Sequence, residues 1–181
     1  QTPKPSDTSL SPELTRLEIY LGPWNVTETH FDVRGVATAT VSGTEEVVWV
    51  LDQHTLKRVY RTRADATVYE ALGLLTWGDV LKKYQGVWFD NLSTSGPTTV
   101  QADWSFEAKT LVFTLEARAT DASTVRYRVV DQWFDEERHV ATTYRLDGDQ
   151  VVKLMEVEYK RAAPCPGKVR VIFDELLGRG G

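Results

Sequence analysis

From about residue 24 to residue 161 the chain alternates apolar and polar side chains in run after run. Leu111, Phe113 and Leu115 are interleaved with Thr114, Glu116 and Arg118, and Val125, Tyr127 and Val129 with Arg126 and Arg128. A period of two is the mark of a strand with one buried face. Runs of this kind, rich in Val, Thr, Tyr, Phe and Trp, cover 24–31, 45–51, 56–63, 67–77, 83–90, 98–106, 110–118, 123–134, 138–146 and 150–161. Turn chemistry separates them: Gly78-Asp79, Ser95-Gly96-Pro97, Asp121-Ala122-Ser123, Asp135-Glu136-Glu137 and Asp147-Gly148. No helical run intervenes, so successive strands join as hairpins. About ten such strands must hide their edges, and closure does so. The pattern predicts an all-β fold, an antiparallel up-and-down barrel.

Ahead of the strands lies one helical signal. Ser11 can cap it, Pro12 suits the first turn, and Leu14, Leu17 and Leu21 share a face before Gly22-Pro23 stops it. Residues 1–12 are Pro-, Ser- and Thr-rich and read as a flexible leader, 13–161 as the barrel domain, and 162–181 as a C-terminal extension in which Val169 to Phe173 could form one more short strand.

The chain has 181 residues, suited to one domain with a large core. Its formal charge is −5, which gives no electrostatic reason to expect nucleic acid or an anionic membrane as partner. No apolar stretch approaches the ~20 residues of a membrane helix. The sequence starts at Gln1 with a polar, Pro-rich segment, which leads to the expectation of a removed signal peptide and of a periplasmic or secreted protein. Cys165 is the single cysteine and allows no internal disulfide. Nothing in the pattern specifies an oligomeric state.

Gly22-Pro23-Trp24 stands at the first strand, just after the helix. Leu74-Leu75-Thr76-Trp77-Gly78, Lys83-Tyr84-Gln85-Gly86-Val87-Trp88-Phe89-Asp90-Asn91 and Lys153-Leu154-Met155-Glu156-Val157-Glu158-Tyr159-Lys160-Arg161 lie further along the chain. In these segments, over about residues 14–161, the chain resembles the bacterial domain-of-unknown-function family numbered 1579, a lipocalin-like (calycin-type) barrel family. The resemblance implies that Gly22 and Trp24 close one end of the barrel. It also implies that a cation late in the last strand, Lys160 or Arg161, packs across the indole, with Arg161 the assigned partner. It implies no settled activity.

Alternation predicts what lines the interior. With Trp24 inward, Val26, Glu28 and His30 point the same way. Tyr84, Gly86, Trp88 and Asp90 share a face, as do Val125, Tyr127, Val129, Asp131 and Trp133, and Val140, Thr142, Tyr144 and Leu146. An apolar wall with a few polar groups suits a small, largely apolar ligand, for which His30, Tyr84, Trp88, Asp90, Tyr127 and Tyr144 are the candidate binding residues. A barrel filled by its own side chains, serving as a protein-interaction module, is the alternative reading. A haem barrel with His30 or His139 as ligand is a third.

No metal spacing, nucleophile elbow, phosphate loop or dinucleotide fingerprint occurs, so no enzyme activity and no cofactor are expected. Glu45-Glu46 read as solvated turn charges. Arg58, Arg61, Arg63, Arg126 and Arg128 read as outward, salt-bridged residues, able to meet an anionic head group only if one turned inward.

Overall fold

A computed structural model describes residues 10–105 and 108–163. The chain enters through α1 (Pro12–Arg16), capped by the Ser11 side chain, which accepts a hydrogen bond from the Leu14 N–H at 3.2 Å. A 3₁₀ turn over Leu17–Tyr20 continues it, so the sequence-predicted helix tightens in its second half. Leu14, Leu17, Ile19 and Tyr20 are buried, and the helix plugs one end of a sheet of ten strands.

The strands are β1 (Gly22–Phe31), β2 (Ala37–Val50), β3 (Thr55–Ala64), β4 (Thr67–Gly78), β5 (Lys83–Asp90), β6 (Thr98–Ser105), β7 (Thr110–Arg118), β8 (Thr124–Asp135), β9 (Arg138–Asp147) and β10 (Gln150–Arg161). Each pairs antiparallel with its sequence neighbour, and β10 pairs with β1 to close the barrel. The predicted class is therefore the observed one. β2 begins well before its apolar signal, because Ala37–Thr44 is a small, polar and largely exposed stretch. The candidate strand at 169–173 and Cys165 lie outside the described residues.

The registers fix which faces point inward. Trp24, Val26, Glu28 and His30 of β1 face in, as predicted, and so do Tyr127, Val129, Asp131 and Trp133 of β8. On β9 the inward set is the opposite of the predicted one. His139 lies directly across from Trp133 on one side and Tyr159 on the other, and opposite residues share a face. Ala141 and Thr143 therefore point inward with His139. Tyr144 points outward, where the Arg128 guanidinium sits 5.6 Å from its ring centre. Apolarity favoured Val140 and Leu146 as the core face, but this strand turns its smaller residues to the interior.

β3 and β2 correct two further expectations. Arg58 points into the barrel, and Glu45, expected as a solvated turn charge, lies mid-strand and is buried beside it. Arg126 stays on the outer face with Glu116, as expected.

Candidate ligand cavity

The helix-plugged end is closed by aromatic rings. Gly22 has φ +109°, a conformation that other residues rarely adopt, so the turn into β1 suits glycine. Trp24 is fully buried, and its indole N–H donates to the Tyr20 carbonyl at 2.8 Å. The Arg161 guanidinium sits 4.1 Å from the Trp24 ring centre and donates to the carbonyls of Leu21, Ile19 and Glu136. One side chain thus ties the last strand to the plug and to the β8–β9 turn.

Tyr84, expected on the cavity wall, belongs to this closed end instead. Its hydroxyl donates to the Glu13 carbonyl at 2.9 Å, and its ring meets Trp77 edge-on. It fastens the helix and does not line the cavity.

Above the plug the interior is hollow, with a volume of about 700 Å³. That lies within the usual range for small-molecule sites. Its walls are mostly apolar: Leu75, Val100, Phe113, Leu115, Val129, Ala141, Met155 and Val157, with Trp88 lying across Gly73. A Cβ at residue 73 would come within 2.8 Å of the Trp88 ring, so the glycine makes room for the indole. The Trp88 N–H donates to the Tyr69 hydroxyl at 3.2 Å.

Polar groups enter at three places. At the floor, Arg58 makes two parallel hydrogen bonds to Glu45, both 2.9 Å, with the Glu45 side chain wholly buried. Burial alone would push the Arg58 guanidinium down, but the Glu45 charge and hydrogen bonds, with Tyr159 and Tyr20 nearby, together outweigh it and keep the cation protonated. Beside them, Asp131 accepts from Tyr20 at 2.6 Å and is bonded to His139 Nδ1 at 2.6 Å. Burial acts to raise the Asp131 carboxyl. His139, the Tyr20 hydroxyl and Arg58 together bring it below its ordinary value. His139 is sandwiched between the Trp133 and Tyr159 rings at 4.3 and 4.2 Å.

On the wall, Glu28 accepts from the Tyr60 hydroxyl at 2.6 Å and is bonded to His30 Nε2. Burial, with Tyr159 and Glu28 nearby, pushes the Tyr60 phenol well up. Tyr69 is pushed up to about 12, mainly by burial. At the mouth, Asp90 caps the 91–97 loop by accepting from the Leu92 and Ser93 N–H groups, and Leu92, Ser93 and Arg118 complete the rim.

The cavity thus brings together His30, Trp88, Asp90 and Tyr127 of the six candidates and leaves out Tyr84 and Tyr144. Sequence reasoning missed Arg58, Tyr60 and Tyr159. Tyr159 was within reach, because counting back by twos from Arg161 over Trp24 turns Tyr159, Val157 and Met155 inward. Its hydroxyl makes no hydrogen bond among the described residues and opens onto the floor, where the charges of Glu45, Arg58, Asp131 and Glu28 act on it. No group of three or more His, Cys, Asp or Glu side chains there is arranged to hold a metal ion, among the described residues.

A closed antiparallel barrel with a helical plug and an open apolar interior defines a lipocalin-like class. The family model described as a protein of unknown function (DUF1579) matches residues 11–161, and the chain belongs to that family. Among solved structures it is similar in fold to an S-type phycobiliprotein lyase from Guillardia theta. That match has a TM-score of 0.56 and 10% identity, over 90% of this chain and 99% of that one. A search of curated proteins returned no match.

Proposed function

We propose that this protein is an exported barrel that holds a small, largely apolar molecule in its interior and acts by binding rather than catalysis. The observation that carries the reading is the hollow of about 700 Å³, walled by aliphatic and aromatic side chains and open at the end away from the plug. A barrel that served only as a rigid interaction module would gain stability by filling that space, since an empty apolar hollow forfeits packing contacts. The family is one of unknown function, and the barrel of similar fold is named as a lyase.

A haem is disfavoured by the two candidate histidines. His139 is fully buried between two rings, and His30 spends Nε2 on Glu28. Cargo held by apolar contact, with His30, Trp88, Asp90 and Tyr127 about it, fits the geometry better.

Titration with an uncharged solvatochromic dye such as Nile red tests this. The expected result is one saturable site with a blue-shifted emission, displaced by simple alkanes. Ala141→Trp, which projects an indole into the hollow, should abolish it while the barrel's circular dichroism is retained. Absence of saturable binding to the folded wild type would overturn the reading.

A further inference from the structure

The polar groups inside the cavity differ in whether their hydrogen bonds are already made. Glu28 holds Tyr60 and His30, Asp131 holds Tyr20 and His139, and Glu45 holds both arms of the Arg58 fork. These three inward carboxylates all have donors on them. The Tyr159 hydroxyl has no partner among the described residues, although the residue is only 5% exposed. A buried phenol left unpaired forfeits a hydrogen bond, so this atom needs a guest, either water or part of a ligand.

The ring is not free to turn away. Its face lies flat on His139, at 4.2 Å and 5° between planes, and its edge meets Trp24 at 88°. The hydroxyl is thereby aimed at the floor of the hollow. Around it stand three carboxylates and one guanidinium, and that guanidinium is engaged by Glu45. An incoming carboxylate or phosphate would meet net repulsion with no open cationic fork to receive it. An ammonium would find a donor already on each oxygen of these carboxylates, and would have to give up its strong hydration to share them. A neutral oxygen needs neither.

We propose that the ligand's inner end is an uncharged hydrogen-bond acceptor, a carbonyl or hydroxyl oxygen on an apolar body, received at the cavity floor by the Tyr159 hydroxyl. This rests on the reading that the hollow holds a ligand, and it names the chemical class. The ligand lies with its apolar body outward, its oxygen accepts a hydrogen bond from the Tyr159 hydroxyl, and the surrounding carboxylates set the sign of charge that the floor refuses.

The test displaces Nile red with four probes of matched length: 2-undecanone, decane, decanoate and decylamine, on wild type and Tyr159→Phe. In wild type the ketone should bind at least about tenfold more tightly than decanoate or decylamine. Tyr159→Phe, which keeps the ring stack, should weaken the ketone roughly two- to tenfold, the worth of one hydrogen bond, and leave decane unchanged. The carbonyl stretch of ¹³C-labelled ketone bound to wild type gives a second readout that does not depend on the variant folding. It should lie at lower frequency than in hexane.

Decanoate or decylamine binding as tightly as the ketone would overturn the proposal, as would an unshifted carbonyl band or a Tyr159→Phe variant with undiminished ketone affinity. In each case decane binding would leave the hollow-barrel reading standing. Failure of all four probes to displace the dye, decane included, would overturn that reading and this inference with it.

Discussion

Replacing Arg58 with methionine removes the guanidinium on the cavity floor while keeping much of its stem's apolar contact. Its partner Glu45 has a wholly buried side chain and accepts two hydrogen bonds of 2.9 Å from it. Without Arg58 the buried Glu45 carboxylate is left without its counter-charge. Breaking a buried pair by deleting one member costs about 3–5 kcal/mol, roughly a fifth or more of the about 5–15 kcal/mol that holds a typical domain together. Removing both charges, in Arg58→Met with Glu45→Gln, should restore at least about 2 kcal/mol of the loss, because no ion is then stranded.

Urea unfolding monitored by the fluorescence of the six tryptophans, at about pH 7, reads both variants. A single variant within about 1 kcal/mol of wild type would refute the reasoning, since that is the worth of a surface pair.

Further outcomes test other parts of the structure. Asp131→Asn should destabilise at neutral pH. Because burial is overcome by His139, Tyr20 and Arg58 to bring the Asp131 carboxyl down, its contribution is present above the unfolded carboxylate pKa and lost as pH falls through the lowered folded one. Wild type and variant should therefore converge in acid unfolding. Arg161→Ala removes three hydrogen bonds to carbonyls and the cation over Trp24, and should cost about 3 kcal/mol with a changed near-ultraviolet circular dichroism band. Gly86→Ala would put a Cβ 2.0 Å from the Leu74 carbonyl oxygen, so the β4–β5 pairing must shift, at about 1–3 kcal/mol in denaturant titration. Ser11→Ala should cost about 1 kcal/mol by loss of the helix cap, read in the same way.

Alternation alone carried the barrel, because each strand has one wet and one dry face and the turns between them are chemically distinct. It carried the interior where both faces differ in kind, as on β8, with Tyr127, Val129 and Trp133 against Arg126 and Arg128. It failed on β9, where the inward Ala141 and Thr143 are less apolar than the outward Val140 and Leu146. A cavity wall needs small residues, and hydrophobicity does not distinguish space from exposure. Only the cross-strand register, His139 against Trp133 and Tyr159, settles that strand. Arg58 and Glu45 were missed for a related reason. Each looks like a surface charge alone, and they become core residues only as a pair whose members lie thirteen residues apart on adjacent strands. Tyr84 had the right face but the wrong height, since alternation says nothing of where along the axis the plug ends and the hollow begins.

The central claim is that the hollow holds an apolar guest, and native mass spectrometry of the protein purified from its own host tests it most directly. The spectrum should show a reproducible adduct of small mass that disappears on denaturation and is absent from Ala141→Trp prepared in the same way. A bare chain mass in every preparation, or an adduct undiminished in Ala141→Trp, would contradict the claim.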